Sequence, residues 1–389
     1  MNTNRLYYTD CYLKTFRAHV LNTADDGTRV YLDNTAFYPA SGGQPHDLGL
    51  LAGIPILDVV DEDRGIAHVL ERPIEAADVE CHVDWARRYD HMQQHTGQHL
   101  LSAVLVELFN FHTLSFHMGR EVSTIELAAK DLTEPQIDEA EARVNEIVRE
   151  SRPVRILFEH AEAAAGLRKP SDRSGTLRII EIEGLDRSAC GGTHVRSTGE
   201  LGPIQIRKTE KIRGNVRIEF VCGIRALERA KKDYRVLQEL ARQAATTIDN
   251  LPEHSLAVRQ RLTEIEKTNE RLSTELARRE GLALYQATVP DTHGIRRAFL
   301  RVPAIDAGVR AQAQAYAASE KAVLLAVGAE PAGVLIACSP DSQVNAGAVL
   351  KQLVAEAGGR GGGSATLAQG NLPNEEILRP LAQALGFEL

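Results

Sequence analysis

The sequence predicts an α+β protein built from four consecutive segments, and three observations carry that expectation. Short strand-like runs punctuated by Gly, Pro and Asp fill residues 1–85. Helical and strand-like runs then mix through residues 86–225. A charged helical stretch, 226–286, precedes a last segment, 287–389, in which strands and helices alternate. A chain of 389 residues exceeds one ordinary core, so several domains are expected. Its 43% hydrophobic and 25% charged content is that of a soluble globular protein.

In the first segment, "TRVYLDN", "PILDVVDE", "GIAHVLE" and "DVECHVDW" read as strands of a small β-barrel or curved sheet. From Trp85 to Phe109 no Pro and only Gly97 interrupt the run. Leu100, Leu101, Val104, Leu105 and Leu108 form an apolar stripe, which predicts a helix. Thr133 with Gln136 makes a capping box for a second helix, which Pro153 ends. "VRILFE", "LRIIEIEG", "GPIQIRKTEKI" and "NVRIEFV" follow as strands, completing an α+β domain. From Ile224 the chain turns helical. Val258, Leu262, Ile265, Asn269, Leu272 and Leu276 alternate four- and three-residue steps, as in a coiled-coil seam with Asn269 able to set register. A helix hairpin lying on a domain fits that pattern equally well. The last segment reads as a small α/β domain.

A net charge of −8 gives no global sign of nucleic-acid binding, so any such surface must be a local patch. Five cysteines at wide spacing do not form a disulfide scaffold. A reducing cytoplasm is the simplest home, and there thiols are free to bind metal. The opening "MNTNRLYYTDCYLKTF" has no apolar signal core, and nothing approaches a membrane span.

The chemistry concentrates in three stretches. In "HTGQHLL", His95 and His99 are four apart, which on a helix puts them on one face with Cβ atoms about 5–6 Å apart. One such pair alone is a weak signal. In "CGGTH", Cys190 and His194 flank two glycines that favour a tight loop, so both side chains can fold back on one ion. Together the four form a soft N/S donor set suited to one zinc ion per chain. His91, His112 and His117 lack partners at ligand spacing. The third stretch is "TAFYPASGGQPHDLG". There Gly42 and Gly43 let backbone approach a ligand, while Thr35 and Gln44 supply a hydroxyl and an amide. Taken alone, that loop reads as well as a hairpin with an aromatic plug.

In this order, the threonine–aromatic–Tyr–Pro stretch with GGQ, the HTGQHLL helix and the CGGTH loop resemble the editing domain of alanyl-tRNA synthetase and its free-standing relatives, the AlaX proteins, in their long form. "GGRGGGSATLAQG" is similar to the glycine-rich signature of the DHH-associated domain, although relatives carry a Pro and an acid near Ser364, Ala365 and Thr366. No segment the size of an aminoacylation domain precedes the barrel. The resemblance therefore implies hydrolysis without aminoacylation: removal of serine, and secondarily glycine, from tRNA(Ala). A pocket shaped for alanine admits glycine and rejects serine poorly, so a second site that requires the serine hydroxyl can correct the error. The resemblance makes Thr35 the candidate partner of that hydroxyl. It makes Gln44 the candidate holder of the aminoacyl end or the attacking water, with Gly42 and Gly43 beside them.

Four protein ligands would close a tetrahedral zinc, whereas a catalytic zinc keeps a position open. Either one ligand, His194, is loose, or the zinc only orients the ester. For tRNA contact, ten Lys and Arg face four acids between Arg207 and Arg235, with Arg207, Lys208, Lys211 and Arg213 nearest the metal loop. Residues beyond Ile224 are the material left for reading tRNA identity and for forming a homodimer. Two other classes remain: a tRNA-binding protein with a structural zinc, and a phosphoesterase, for which "DHM" at Asp90 is a poor motif.

Overall fold

The computed structural model describes residues 3–356, 360–371 and 378–387. Its contacts separate two compact units, Met1–Glu239 and Leu240–Leu389. The first unit starts with β1 (Asn4–Arg5), β2 (Thr15–Ala24), β3 (Arg29–Leu32) and β4 (Asn34–Thr35), and β1 pairs with β4 in parallel. Next come β5 (Gly49–Leu51), β6 (Ile54–Glu62), β7 (Gly65–Leu70) and β8 (Asp78–Val83). Six of these close into a barrel in the order β2-β3-β7-β6-β5-β8, with β8 returning to pair antiparallel with β2. Strand alternation fills it: in "DVECHV", Val79, Cys81 and Val83 point inward while Asp78, Glu80 and His82 are exposed. β2 escapes sequence reading because only Phe16 and Ala18 of its ten residues are buried.

α1 (Trp85–Phe109) spans the residues expected of it. The Asp84 carboxylate caps it by accepting from Arg87 N–H at 3.2 Å, and Asn110 ends it in left-handed conformation. From His91 to Leu105 every residue is buried, so this is a core helix rather than a surface one. Its polar side chains therefore require partners or a function. At Gly97 an added Cβ would come within 2.2 Å of Cys222 Sγ, so the glycine lets the helix close on the sheet below.

The remainder of the unit holds β9 (Thr113–Met118), β10 (Ser123–Leu127), α2 (Glu134–Glu150), β11 (Val154–His160), β12 (Thr176–Ile182), β13 (Asp186–Ala189), β14 (Ile204–Ile212), β15 (Asn215–Cys222) and all but the last four residues of α3 (Ile224–Gln243). The α2 capping box is present, with Thr133 N–H donating to Gln136 Oε1 at 3.0 Å. The strands form two sheets, β14-β15-β10-β9 and β11-β12-β13. Leu100, Val104, Ile125, Val144, Ile180 and Ile218 share one core between these elements.

In the second unit α4 (Leu251–Ala287) is followed by β16 (Arg296–Val302), α5 (Ala307–Ala317), β17 (Ala322–Gly328), β18 (Gly333–Cys338), α6 (Ala346–Glu356), β19 (Gly361–Gly363), β20 (Leu367–Asn371) and α7 (Leu378–Ala384). Its sheet runs β16-β17-β18-β20-β19. Near its C-terminal end α4 packs on α5 through Gly281, where a Cβ would lie 2.2 Å from the Gln312 carbonyl. The α4 seam residues Val258, Leu262, Ile265, Leu272 and Leu276 are all exposed. Of the glycine-rich signature, Gly358 and Gly359 lie outside the described residues, while Gly361–Gly363 form β19 against β20. The five cysteines are unpaired, and among the described residues no helix is long and apolar enough to cross a membrane.

Candidate metal centre and its cleft

Helix spacing and a glycine loop bring His95, His99, Cys190 and His194 together, with one ligand atom from each lying within 4.8 Å of the others. Cys190 Sγ is 3.5 Å from His95 Nε2 and 3.4 Å from His194 Nε2. Tetrahedral zinc with ordinary Zn–S and Zn–N bonds has ligand–ligand edges of roughly 3.5 Å, so the donor set and its spacing fit that ion. Each histidine spends its other nitrogen on a second partner, as metal-binding imidazoles do. His95 Nδ1–H donates to Gln44 Oε1 at 2.8 Å, His99 Nδ1–H to Asp186 Oδ2 at 3.1 Å, and His194 Nδ1–H to Thr96 Oγ1 at 3.0 Å. All three bonds leave Nε2 to face the cluster.

Charge follows the same design. Burial alone would raise the Cys190 thiol, but the surrounding histidines pull it well below the ordinary thiol range, toward the thiolate a metal needs. Burial also works to raise Asp186, yet the bonds from His99 and Arg168 outweigh it and hold the carboxyl at about 2. Asp186 therefore stays ionised beneath His99. Gly192 carries the loop past this cluster. A Cβ there would sit 2.2 Å from His95 Cε1, which explains the second glycine of "CGGTH" by close approach rather than by turn geometry.

A cleft of about 500 Å³ opens beside the cluster, lined by His95, His99 and Cys190. His194 is not in its wall. It is 3% exposed, as is His95, and is bonded to Thr96 on the side away from the cluster. The cleft side of the centre is Cys190, His95 and His99.

Gln44 and Thr35 are both buried and hydrogen-bonded within the protein. The Gln44 oxygen accepts from His95 and from Thr193 N–H at 3.1 Å, and its amide donates to Thr193 Oγ1 at 2.9 Å. It is 2% exposed, so it ties the barrel loop to the metal loop instead of presenting an amide to a ligand. Thr35 is fully buried and absent from the cleft wall. Burial drives the His68 pKa down to about 4, and its Nδ1–H donates to the Val30 carbonyl at 3.1 Å. The Thr35 hydroxyl must then donate to His68 Nε2, at 2.8 Å, while accepting from Phe37 N–H at 3.1 Å. Gly42 and Gly43 form the two-residue turn between Ser41 and Gln44, both at positive φ, 57° and 83°. Gly42 reaches the cleft, and Gly43 lies against the Phe116 backbone.

None of the four expected tRNA-contact cations lines the cleft. Arg207 pairs with Asp233 at 2.6 Å, Lys208 with Glu210, and Lys211 with Asp131 at 3.1 Å, while Arg213 sits at the β14–β15 turn. Exposed pairs of this kind contribute little net stability, so a phosphate can displace them. Arg225 is different: it clasps Asp90 at 2.6 Å and the Gly119 carbonyl at 2.8 Å. That pair gives the "DHM" aspartate a structural use. Sequence reading missed Asp186, Thr96 and Arg168. Thr96 stands inside the quoted motif, but Asp186 and Arg168 carry no spacing signal.

Residues 177–219 match the family described as "Threonyl and Alanyl tRNA synthetase second additional domain", and residues 302–386 match the DHHA1 domain. The first of these descriptions places the segment in a domain class of threonyl- and alanyl-tRNA synthetases. The alanyl-tRNA editing protein AlaX-L of Pyrococcus horikoshii is 32% identical over 95% of this chain and 94% of its own length. The alanyl-tRNA editing protein Aarsd1 of Danio rerio is 32% identical over 69% of this chain and 70% of its own. An alanine–tRNA ligase of Korarchaeum cryptofilum is 32% identical over 96% of this chain, which spans 44% of that enzyme. The chain belongs to the alanyl-tRNA editing protein family, in its AlaX-L form.

Proposed function

We propose that this protein hydrolyses the ester of mischarged tRNA(Ala), chiefly Ser-tRNA(Ala) and secondarily Gly-tRNA(Ala), at a zinc ion held by His95, His99, Cys190 and His194. The observation that carries this reading is the convergence of the four donors, three of which line a cleft large enough for an aminoacyl end. Zinc bound there supplies Lewis acidity toward the ester or an attacking water. The chain's own residues orient that site: Gln44, Asp186 and Thr96 hold the three imidazoles, and Asp186 stays charged to do so. A second reading, a structural zinc in a tRNA-binding protein, draws support from the four-ligand set, which closes a tetrahedral ion.

A deacylation assay separates the two. With zinc-loaded protein, Ser-tRNA(Ala) is expected to lose serine at least about a hundredfold faster than Ala-tRNA(Ala) loses alanine. Tight binding of tRNA with the ester left intact on every substrate overturns the hydrolase reading.

Thr35 acts as a support of the loop rather than as the reader of the serine hydroxyl. Thr35→Val leaves His68 Nε2 buried and unpaired and is expected to cost about 1–3 kcal/mol of stability. Hydrolysis of Ser- and Gly-tRNA(Ala) should fall by equal factors. A loss confined to the seryl substrate returns Thr35 to the role of hydroxyl reader.

The second unit supplies tRNA selection and, through the exposed α4 seam, pairing with a second copy. A chain ended after Glu239, where the first unit closes, is expected to keep ester cleavage and to bind tRNA(Ala) more weakly. Equal KM and equal choice between tRNA(Ala) and tRNA(Ser) in both forms would remove that role.

A further inference from the structure

The cleft has a second chemical character that the metal centre does not use. The loop joining β11 to β12 passes along it and contributes Arg168, Lys169 and Arg173 to the wall. Arg5 is also there, whereas Asp61 is the single acid in the lining among the described residues. Two of these four cations are spoken for. Arg5 pairs with Asp61 at 2.9 Å, and Arg168 donates to Asp186 at 2.7 Å and to Ser188 Oγ at 3.0 Å. Lys169 and Arg173 are exposed, and no ion pair holds either among the described residues. An acidic chain thus sets two uncommitted cations over this polar cleft. Aromatic faces share the same wall. Tyr8 lies beneath the guanidinium groups of Arg5, at 5.5 Å, and Arg178, at 5.3 Å, and Phe116 stacks on His95 at 5.3 Å. Cations that follow a backbone beside aromatic rings that face bases are the surface for a single-stranded nucleic acid.

We propose that Lys169 and Arg173 bind a backbone phosphate of the single-stranded 3′ end of tRNA, and that Arg168 is the positioning residue that fixes their loop. This rests on the hydrolase reading above and names where its substrate is gripped. Arg168 is anchored on the same Asp186 carboxylate that orients His99. The phosphate grip and a metal ligand therefore share one reference point, which sets the distance from phosphate to ester. The paired cations of β14, outside the cleft, are not needed for this contact.

The test uses the full chain and the double variant Lys169→Ala/Arg173→Ala, both exposed positions on one loop. Binding of uncharged tRNA(Ala) is titrated against salt. The variant is expected to bind roughly tenfold more weakly, with a salt slope shallower by about 0.7 for the one single-strand phosphate released. In deacylation, the ratio of kcat/KM on Ser-tRNA(Ala) to that on a seryl ester of adenosine, which has no phosphate, is expected to fall through KM. Affinity, slope and ratio equal to those of the wild type overturn the proposal. If inorganic phosphate or adenosine monophosphate distinguishes the two proteins while tRNA does not, the loop holds a free anion and the proposal is likewise overturned. A wild type that cleaves no seryl ester defeats the hydrolase reading instead, and the binding titration still decides the loop.

Discussion

Cys190→Ala is expected to strip zinc from the protein and abolish deacylation. Zinc per chain, measured by metal analysis after dialysis, should drop from about one to a small fraction. The reason is specific to this thiol. Cys190 is the anionic ligand of the set, and the imidazoles around it hold it well below the ordinary thiol range. Removing it leaves only the imidazoles of His95, His99 and His194 within one small volume. Proton competition adds a pH signature. The Cys190 thiol lies lower in the folded protein than in the unfolded chain, so its contribution is present above the ordinary thiol pKa. That contribution is lost as pH falls through the depressed folded value. Full zinc retention in the alanine variant would show that the ligands have been misassigned. The other cysteines provide controls, because burial pushes Cys11 and Cys222 upward and neither joins the cluster.

Arg88→Ala is expected to be the most destabilising single change in the first unit. Arg88 and Asp47 are both fully buried and paired. The guanidinium also donates to the Cys11 carbonyl at 2.8 Å and to the Ala36 carbonyl at 2.5 Å, while Asp47 accepts from Tyr38 N–H at 2.6 Å. Truncating the arginine leaves a carboxylate without a counter-charge in the interior, at a cost of about 3–5 kcal/mol. That is a large part of the roughly 5–15 kcal/mol by which ordinary domains are stable. Urea unfolding of the full chain should show the first transition moved to lower denaturant. Combining Arg88→Met with Asp47→Leu should recover most of the loss, because no unpaired charge then remains. If the single variant unfolds like wild type, water reaches Asp47 and the pair is not truly buried.

Much of this was legible before any coordinates. The α1 limits followed from a run without Pro and with only Gly97 around an apolar stripe, and the four cluster residues followed from two four-residue spacings. Local patterns report local geometry. What escaped was relational. Asp186 and Arg168 meet His99 only because β13 and a loop fold back on α1, and nothing in their neighbours' identity announces it. Thr35 and Gln44 were noticed as polar groups beside glycines, but their partners lie 33 and 149 residues away. Without His68 and Thr193 in view, a buried hydroxyl and a buried amide read as groups awaiting a ligand. Among the ten cations from Arg207 to Arg235, sequence shows the charges but not that Asp90, Asp131 and Asp233 pair with several of them.

The Gln44 carboxamide joins a barrel loop to the CGGTH loop through a single amide group. Seating of the barrel and occupancy of the metal centre are therefore thermodynamically linked quantities. Whatever factor the seated loop adds to ion affinity, a bound ion must return to the seating equilibrium. Chelation is thus a mechanical act on a distant β-structure. Hydrogen exchange in residues 15–83, far along the chain from Cys190 and His194, becomes a gauge of whether the centre is filled.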